Sequence, residues 1–214
     1  MKKFLLAVIL VIPFLNVNAQ GIGKLAPPKP PEIFPDNALG IDLIFSEGGF
    51  GLGGFYRKQL DQTLTGFIDF SISEAKDPQE FTYVDYFGNT YTAGKINRAF
   101  LVPINLGLQY RLFENVIYDN LRPYINFGVG PAFVITDPYS MEYFSALRSA
   151  TTYCTAGGYI GFGANFGLDK KNLVGLNLRY YVIHMFNNGI QILQDRYEKN
   201  LGGFFITLNI GTMY

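Results

Sequence analysis

The sequence has no tryptophan, one cysteine, one histidine and no net charge over 214 residues. A single cysteine, Cys154, excludes an intramolecular disulfide. One histidine and one cysteine on different predicted strands do not make a ligand set, so we predict no metal site and no cofactor. The balanced charge gives no electrostatic reason to expect nucleic acid as a partner.

Long apolar runs are also missing. No window approaches the roughly 18 uninterrupted apolar residues of a membrane-spanning helix, which excludes a helical membrane protein. The sequence is instead rich in aromatic residues and glycine, with 15 tyrosines, 20 phenylalanines and 24 glycines. Its apolar residues recur with a period of two, which is typical of β-strands.

The longest two-faced stretch runs from Asn97 to Leu112. One face is continuously apolar, and the other becomes small or polar after Leu101. Side chains of a β-strand point to alternate faces. The stretch is longer than an ordinary strand of about 5–6 residues and long enough to cross a bilayer, which takes about 9–11 tilted residues. It therefore predicts a transmembrane β-strand.

The same period recurs along residues 39–214 and predicts eight strands. Short and long links alternate, except that the first hairpin, at Glu47-Gly48-Gly49, is short where a long loop is expected. The short links are 59–63, 113–121 and 169–172, and the long links are 75–95, 136–152 and 187–200. Transmembrane barrels have short periplasmic turns, long external loops and an even strand number. We predict an all-β fold, an eight-stranded antiparallel transmembrane up-and-down β-barrel.

A soluble up-and-down barrel of the lipocalin kind is the competing architecture. Such a barrel buries its apolar face and carries lysine and glutamate outward. Here the polar faces carry Gly, Asn, Thr and Ser with a few Arg and Asp, and nearly all Lys and Glu lie in links. This composition suits a narrow interior and favours the membrane barrel.

Residues 1–19 have the three parts of a secretory signal peptide: a basic start, an apolar run from Phe4 to Leu15 and the triplet Val17-Asn18-Ala19. The triplet has small residues at the first and third positions before the cut, so we predict cleavage before Gln20. The segment 20–38 is rich in proline, which favours extended, semi-rigid chain. We interpret it as a periplasmic lead-in that acts as a spacer, with partner docking as the alternative.

These features together, with the aromatic final strand from Phe204 to Tyr214, resemble the small eight-stranded outer-membrane barrels of the OmpA type. The final strand is similar to the signal recognised by the barrel-assembly machinery. The resemblance implies a bacterial outer-membrane location, that machinery as a partner during biogenesis, and contact with outer-membrane lipid and lipopolysaccharide. Two departures are that no peptidoglycan-binding domain follows the barrel and that Tyr56, Tyr110 and Tyr214 would replace tryptophan in the interface girdles.

The lumen is predicted to be plugged by side chains, because eight strands leave an interior only about wide enough for them. Buried charges are expensive unless paired, so we expect Asp42 and Asp69 to meet some of the inward arginines in an amide-rich network. The alternative is that each charge is separately hydrated in a wet lumen. The polar residues predicted to face inward are Asp42, Arg57, Asp69, Arg111, Asn126, Asn165, Asn177, Arg179 and Asn209.

The only histidine, His184, is the candidate general base for acyl-transfer chemistry. Strand parity places it on the lipid-facing side with Val182, near the outer rim. An enzyme of outer-membrane lipid would need a serine nucleophile and an acidic or amide partner nearby, and no local motif supplies them. We therefore predict no catalytic residue and no enzymatic activity.

Aromatic residues crowd two predicted external loops. Residues 81–93 form an alternating aromatic segment with Gly88-Asn89 in the middle. This pattern predicts a β-hairpin above the membrane. Exposed aromatic side chains offer a large contact area at low entropy cost for recognition, or they can lie against the lipopolysaccharide layer. The candidate recognition residues are Tyr83, Tyr86, Tyr91, Tyr139, Tyr143 and Phe144.

The expected function is that of a non-catalytic outer-membrane barrel with a plugged lumen and an envelope or surface-interaction role. The alternative is a lipid-modifying enzyme or a barrel that conducts a small ligand.

The signal peptide generates a prediction about processing. Protein isolated from outer membranes of its native host should begin at Gln20, because the triplet ending in Ala19 fits the signal peptidase. N-terminal mass spectrometry measures this directly. Residues 1–19 retained on that protein would show the assignment to be wrong.

Overall fold

The computed structural model describes residues 34–114, 116–117, 121–167 and 170–214. The predicted signal peptide and most of the Pro-rich segment lie outside the described residues. The strands are β1 (Asn37–Ser46), β2 (Gly49–Gln59), β3 (Leu64–Ala75), β4 (Thr82–Val84), β5 (Thr90–Thr92), β6 (Asn97–Arg111), β7 (Leu121–Pro138), β8 (Thr151–Phe166), β9 (Asn172–His184) and β10 (Asn200–Met213).

Eight of these strands close into one antiparallel barrel. Each pairs with the barrel strands before and after it in sequence, and β1 pairs with β10 to complete the circle. Strands β4 and β5 form a separate two-stranded hairpin. Closure leaves no unpaired sheet edge, which is what a sheet in lipid requires. The predicted eight-stranded antiparallel barrel is confirmed.

The links fall into two groups at opposite ends of the barrel. We call the end with the short links 60–63, 112–120 and 167–171 the turn end. The opposite end, which we call the loop end, carries the links 47–48, 76–96, 139–150 and 185–199. The predicted alternation is confirmed, including the short first hairpin.

Two of the loop-end links contain regular structure. The β4–β5 hairpin lies within 76–96, and a short helix, Tyr143–Leu147, lies within 139–150. The Glu142 side chain caps this helix by accepting a hydrogen bond from the Ser145 backbone N–H at 3.1 Å. The loop end therefore carries a β-hairpin and a short helix above the barrel.

The outward face of the barrel is apolar and exposed on all eight strands. One example from each is Ile41, Leu52, Phe70, Leu106, Phe127, Ile160, Leu178 and Ile206. An apolar band that encircles a closed barrel is the surface that contacts lipid. At the turn end, Tyr110 and Tyr214 are exposed and Tyr56 donates to Asn37 Oδ1 at 2.8 Å, so all three predicted girdle tyrosines lie near one rim.

Across the four described stretches, no helix is both long and apolar enough to cross a membrane.

Glycines on the inward face make room for aromatic rings. Gly163 lies opposite Tyr124 in the β7–β8 pair, and Gly128 lies opposite Tyr159. A Cβ atom on Gly163 would come within 2.7 Å of the Tyr124 hydroxyl, and one on Gly128 within 2.8 Å of the Tyr159 ring. Only glycine lets these rings cross the neighbouring strand and enter the lumen.

Candidate functional site

Arg179 lies at the centre of the lumen, between two aspartates from other strands. Its Nη2 atom is 3.2 Å from Asp42 Oδ2, and its Nη1 atom is 3.5 Å from Asp69 Oδ2. The side chains of all three residues are at most 3% exposed. The guanidinium also lies over the Tyr159 ring, 4.9 Å from its centroid. One arginine on β9 thus joins β1 and β3 across the interior.

Neutral donors complete the coordination of the two carboxylates. Asp69 accepts hydrogen bonds from the Tyr159 hydroxyl and from Asn105 Nδ2, both at 2.8 Å. Asp42 accepts one from Asn209 Nδ2. Because two carboxylates face one guanidinium, these donors offset the charge that the arginine leaves uncompensated. We call the following residues the central network: Asp42, Asp69, Asn105, Tyr159, Arg179 and Asn209.

Two of the predicted arginines do not reach either aspartate. Arg57 donates instead to Asn165 Oδ1 at 3.2 Å, and its guanidinium lies 4.3 Å from the Phe55 ring centroid. Arg57 is four residues along β2 from Gly53, the partner of Asp42, which is about 13 Å of strand. Arg111 lies at the end of β6, six residues beyond the Asp69 partner Asn105. Both arginines therefore sit nearer the turn end than the aspartates.

The remaining predicted amides have different environments. Asn209 belongs to the central network and Asn165 is the partner of Arg57. Asn126 and Asn177 are buried in the lumen, but within the described ranges Asn126 Oδ1 and both polar side-chain atoms of Asn177 have no hydrogen-bond partner. The amide-rich network is therefore narrower than predicted.

A row of aromatic rings crosses the lumen through Tyr159 of the central network and was missed by sequence reasoning. Successive ring centroids from Phe67 to Tyr159, from Tyr159 to Tyr181 and from Tyr181 to Phe205 are 6.1, 4.7 and 5.0 Å apart. The Tyr181 oxygen also accepts a hydrogen bond from Asn105 at 2.9 Å. Two features of the sequence could have indicated these rings. Strand parity points them into the lumen, and glycines lie opposite two of them, Gly107 opposite Phe67 and Gly128 opposite Tyr159.

The half of the lumen nearest the loop end is lined largely by apolar side chains, a layer that sequence reasoning did not predict. Its buried side chains include Leu101, Val134, Ile183 and Leu201 from the strands and Met185, Ile190 and Ile192 from the link 185–199. The backbone N–H groups of Ile96 and Asn97 both donate to Ile192 O, at 2.8 and 3.3 Å. The parity that places Tyr181 inward also places Ile183 inward. We call the following seven residues the apolar cap: Leu101, Val134, Ile183, Met185, Ile190, Ile192 and Leu201.

The β4–β5 hairpin presents the first group of candidate recognition residues. The Tyr83 and Tyr91 rings stack across the hairpin with centroids 5.9 Å apart, and Tyr86 at its tip is 98% exposed. Asp85 orders the turn by accepting from the backbone N–H groups of Phe87 and Asn89, both at 2.8 Å. A hydrogen bond from the Asn89 side chain contributes most to lowering the pKa of the Asp85 carboxyl below its ordinary value.

The link 139–150 carries the second group, in which the members differ. Tyr143 and Phe144 are exposed on the short helix, with ring centroids 5.6 Å apart. Tyr139 is half-buried, and its ring centroid is 5.3 Å from Lys95 Nζ and 5.1 Å from Arg98 Cζ. Tyr139 therefore packs at the base of the loops, whereas Tyr143 and Phe144 face outward.

His184 is exposed at the end of β9, as strand parity predicts. Its Nδ1 atom is 2.8 Å from Asn200 Oδ1, and its ring packs against Phe186. The imidazole ring therefore contacts an amide oxygen and a phenyl ring. In the part of the chain that the structure describes, no group of three or more His, Cys, Asp or Glu side chains could hold a metal ion.

Comparison with solved structures gives the class of this fold. Neisserial surface protein A matches with a TM-score of 0.55 and 11% identity, over 86% of this chain and 100% of that chain. The N-terminal β-barrel domain of Pseudomonas aeruginosa OprF matches with a TM-score of 0.45 and 14% identity, over 84% and 98%. No protein-family model and no curated protein sequence matches the chain. The chain has the fold of the small eight-stranded outer-membrane barrels.

The central network generates a prediction about stability. Arg179→Ala should lower the free energy of unfolding by about 3–5 kcal/mol, because it leaves two buried carboxylates without their cation. Asp42→Asn is the matched control, since it leaves one guanidinium facing one carboxylate and should be tolerated better. Urea unfolding of each variant in lipid vesicles measures both effects. A loss below about 1 kcal/mol for Arg179→Ala would instead indicate separately hydrated charges.

Proposed function

We propose that this protein is a non-catalytic outer-membrane barrel with a side-chain-plugged lumen, whose external loops mediate an envelope or surface interaction. The observation that carries the proposal is the Arg179 bridge between Asp42 and Asp69, with the apolar cap above it. A plugged barrel holds its strands rigidly and leaves the external loops as the variable part. The encircling apolar band supports a membrane location.

The plug combines a polar and an apolar layer, which oppose passage for different reasons. An ion that entered the central network would have to displace Arg179 from its carboxylates, and opening a buried pair is strongly unfavourable. A hydrated solute that entered the apolar cap would lose its water without gaining polar partners. The aromatic row shares Tyr159 with the central network and fills further space in the lumen.

The orientation follows from the link lengths. In transmembrane barrels the short turns face the periplasm and the long loops face outside. The turn end would therefore face the periplasm, and the β4–β5 hairpin would project from the cell. This arrangement supports a role for the aromatic residues in contacts with a partner or with lipopolysaccharide.

The exposed aromatic groups are suited to recognition because they are already ordered. The Tyr83–Tyr91 stack and the Asp85 turn hold the hairpin together without the barrel. A rigid aromatic surface loses little conformational entropy when it binds. Tyr86, Phe87 and Phe144 are the most exposed rings of these loops and are the residues that we propose contact a partner.

The plug is tested by electrical recording. The unmodified protein, reconstituted in a planar bilayer, should show no stable large conductance, because the central network and the apolar cap fill the lumen. A general porin in the same lipid serves as the positive control. Stable, large currents from this protein would refute the plug and favour the ligand-conducting alternative.

The loops are tested by excision. Residues 81–93 should be replaceable by Gly-Ser without loss of the barrel, because their backbone hydrogen bonds, including Ala93 N to Phe81 O, are internal except for one that Thr92 O accepts from Lys95 N at 3.5 Å. The salt bridge from Lys95 Nζ to Glu80 Oε1, at 3.0 Å, stays in place. The variant should keep a heat-modifiable gel band and a protease-resistant core. Loss of the folded band would show that the hairpin supports the barrel.

A further inference from the structure

A cavity of about 530 Å³ opens at the turn end of the lumen. Three arginines from three strands line it: Arg57 from β2, Arg111 from β6 and Arg122 from β7. Tyr124 and Asn165 also line it, and Tyr124 donates to Asn209 of the central network at 3.4 Å. The volume falls in the range of small-molecule sites, about 300–1,000 Å³. We call this space the arginine cavity.

Two of the arginines that line the arginine cavity supply the positive charge that an anion would contact. Arg57 is 5% exposed, and Arg111 is half-buried at the end of β6. Among the described residues neither forms an ion pair with a carboxylate, although Asp36 and Glu114 also line the cavity. A buried guanidinium without a counter-charge favours a bound anion.

Arg122 contributes a third guanidinium that is held in place by packing. Its Cζ atom lies 3.8 Å from the Phe34 ring centroid, and its guanidinium nitrogens lie 3.9 Å from Met213 Sδ. These contacts keep the third charge at the wall of the cavity. The site is therefore preorganised on at least one side.

Two buried polar atoms at the cavity point to the chemistry of its ligand. Arg111 Nε and Gln109 Oε1 have no hydrogen-bond partner among the described residues, and Gln109 is only 7% exposed. One atom is a donor and the other an acceptor, two residues apart on β6. A buried polar group without a partner is destabilising by about 1–3 kcal/mol, so a ligand that supplies both partners gains affinity here.

We infer that the arginine cavity binds a small hydroxylated organic anion. Its carboxylate or phosphate group would be held by Arg57 and Arg111, since a guanidinium matches both groups with two parallel hydrogen bonds. A ligand hydroxyl would donate to Gln109 Oε1. Because the central network and the apolar cap lie between this cavity and the loop end, the ligand would be bound at the turn end and not conducted.

Three compounds with the same pyranose ring test the charge requirement: glucose 6-phosphate, glucuronate and glucose. Isothermal titration of the purified protein in detergent should show a single site for at least one of the two anions and none for glucose. The anion that binds more tightly identifies phosphate or carboxylate as the preferred group. Equal binding of glucose, or no binding of either anion, would overturn the inference.

Substitutions locate the site. Arg111→Gln should weaken binding of the anion at least about tenfold, because it removes a charged hydrogen-bond donor. Lys58→Gln is the matched control, since Lys58 adjoins Arg57 on β2 but is exposed on the outside of the barrel. It should bind as the unmodified protein does. Equal affinities for Arg111→Gln and the unmodified protein, or an equal loss in Lys58→Gln, would overturn the inference.

A measurement on the unmodified protein is independent of whether the variants fold. Phenylglyoxal modifies accessible arginines, and peptide mass spectrometry reports each site. The anion should protect Arg111 and leave Arg148, exposed at the loop end, equally reactive. Equal modification of Arg111 with and without the anion would contradict binding in the cavity.

Discussion

Closure of the sheet is the constraint on which the rest of this structure depends. In lipid, a backbone N–H or C=O group has no water to bind, so each must be paired within the sheet. The pairing of β1 with β10 meets that requirement with eight strands. Eight strands enclose so little space that their inward side chains must fill it. In this barrel that space holds, among others, the ion-paired side chains of Asp42, Asp69 and Arg179.

The filling changes along the barrel axis. Arginines surround a cavity at the turn end, charged and amide groups meet near the middle, and aliphatic side chains close the loop end. Arg179 is central to this arrangement because it is the cation that both Asp42 and Asp69 contact. Both ion pairs form between strands that are not neighbours in the barrel, so they link separate parts of its wall.

The two ends of the barrel offer different chemistry to their surroundings. The loop end presents ordered aromatic rings on the β4–β5 hairpin and on the short helix Tyr143–Leu147. The turn end presents Arg57 and Arg111, which form no ion pair with a carboxylate among the described residues. The central network and the apolar cap lie between these two ends.

The sequence by itself determined the eight strands, their parity and the alternation of links, because alternation of side chains along a strand is a local property. It also placed Asp42, Asp69 and Arg179 on the inward face. Only the tertiary structure decided that Arg179 bridges both aspartates while Arg57 and Arg111 do not, and that Ile190 and Ile192 fold over the lumen. Those contacts depend on strand register and on the path of a long link, which bring together residues more than 100 positions apart, such as Arg179 and Asp69.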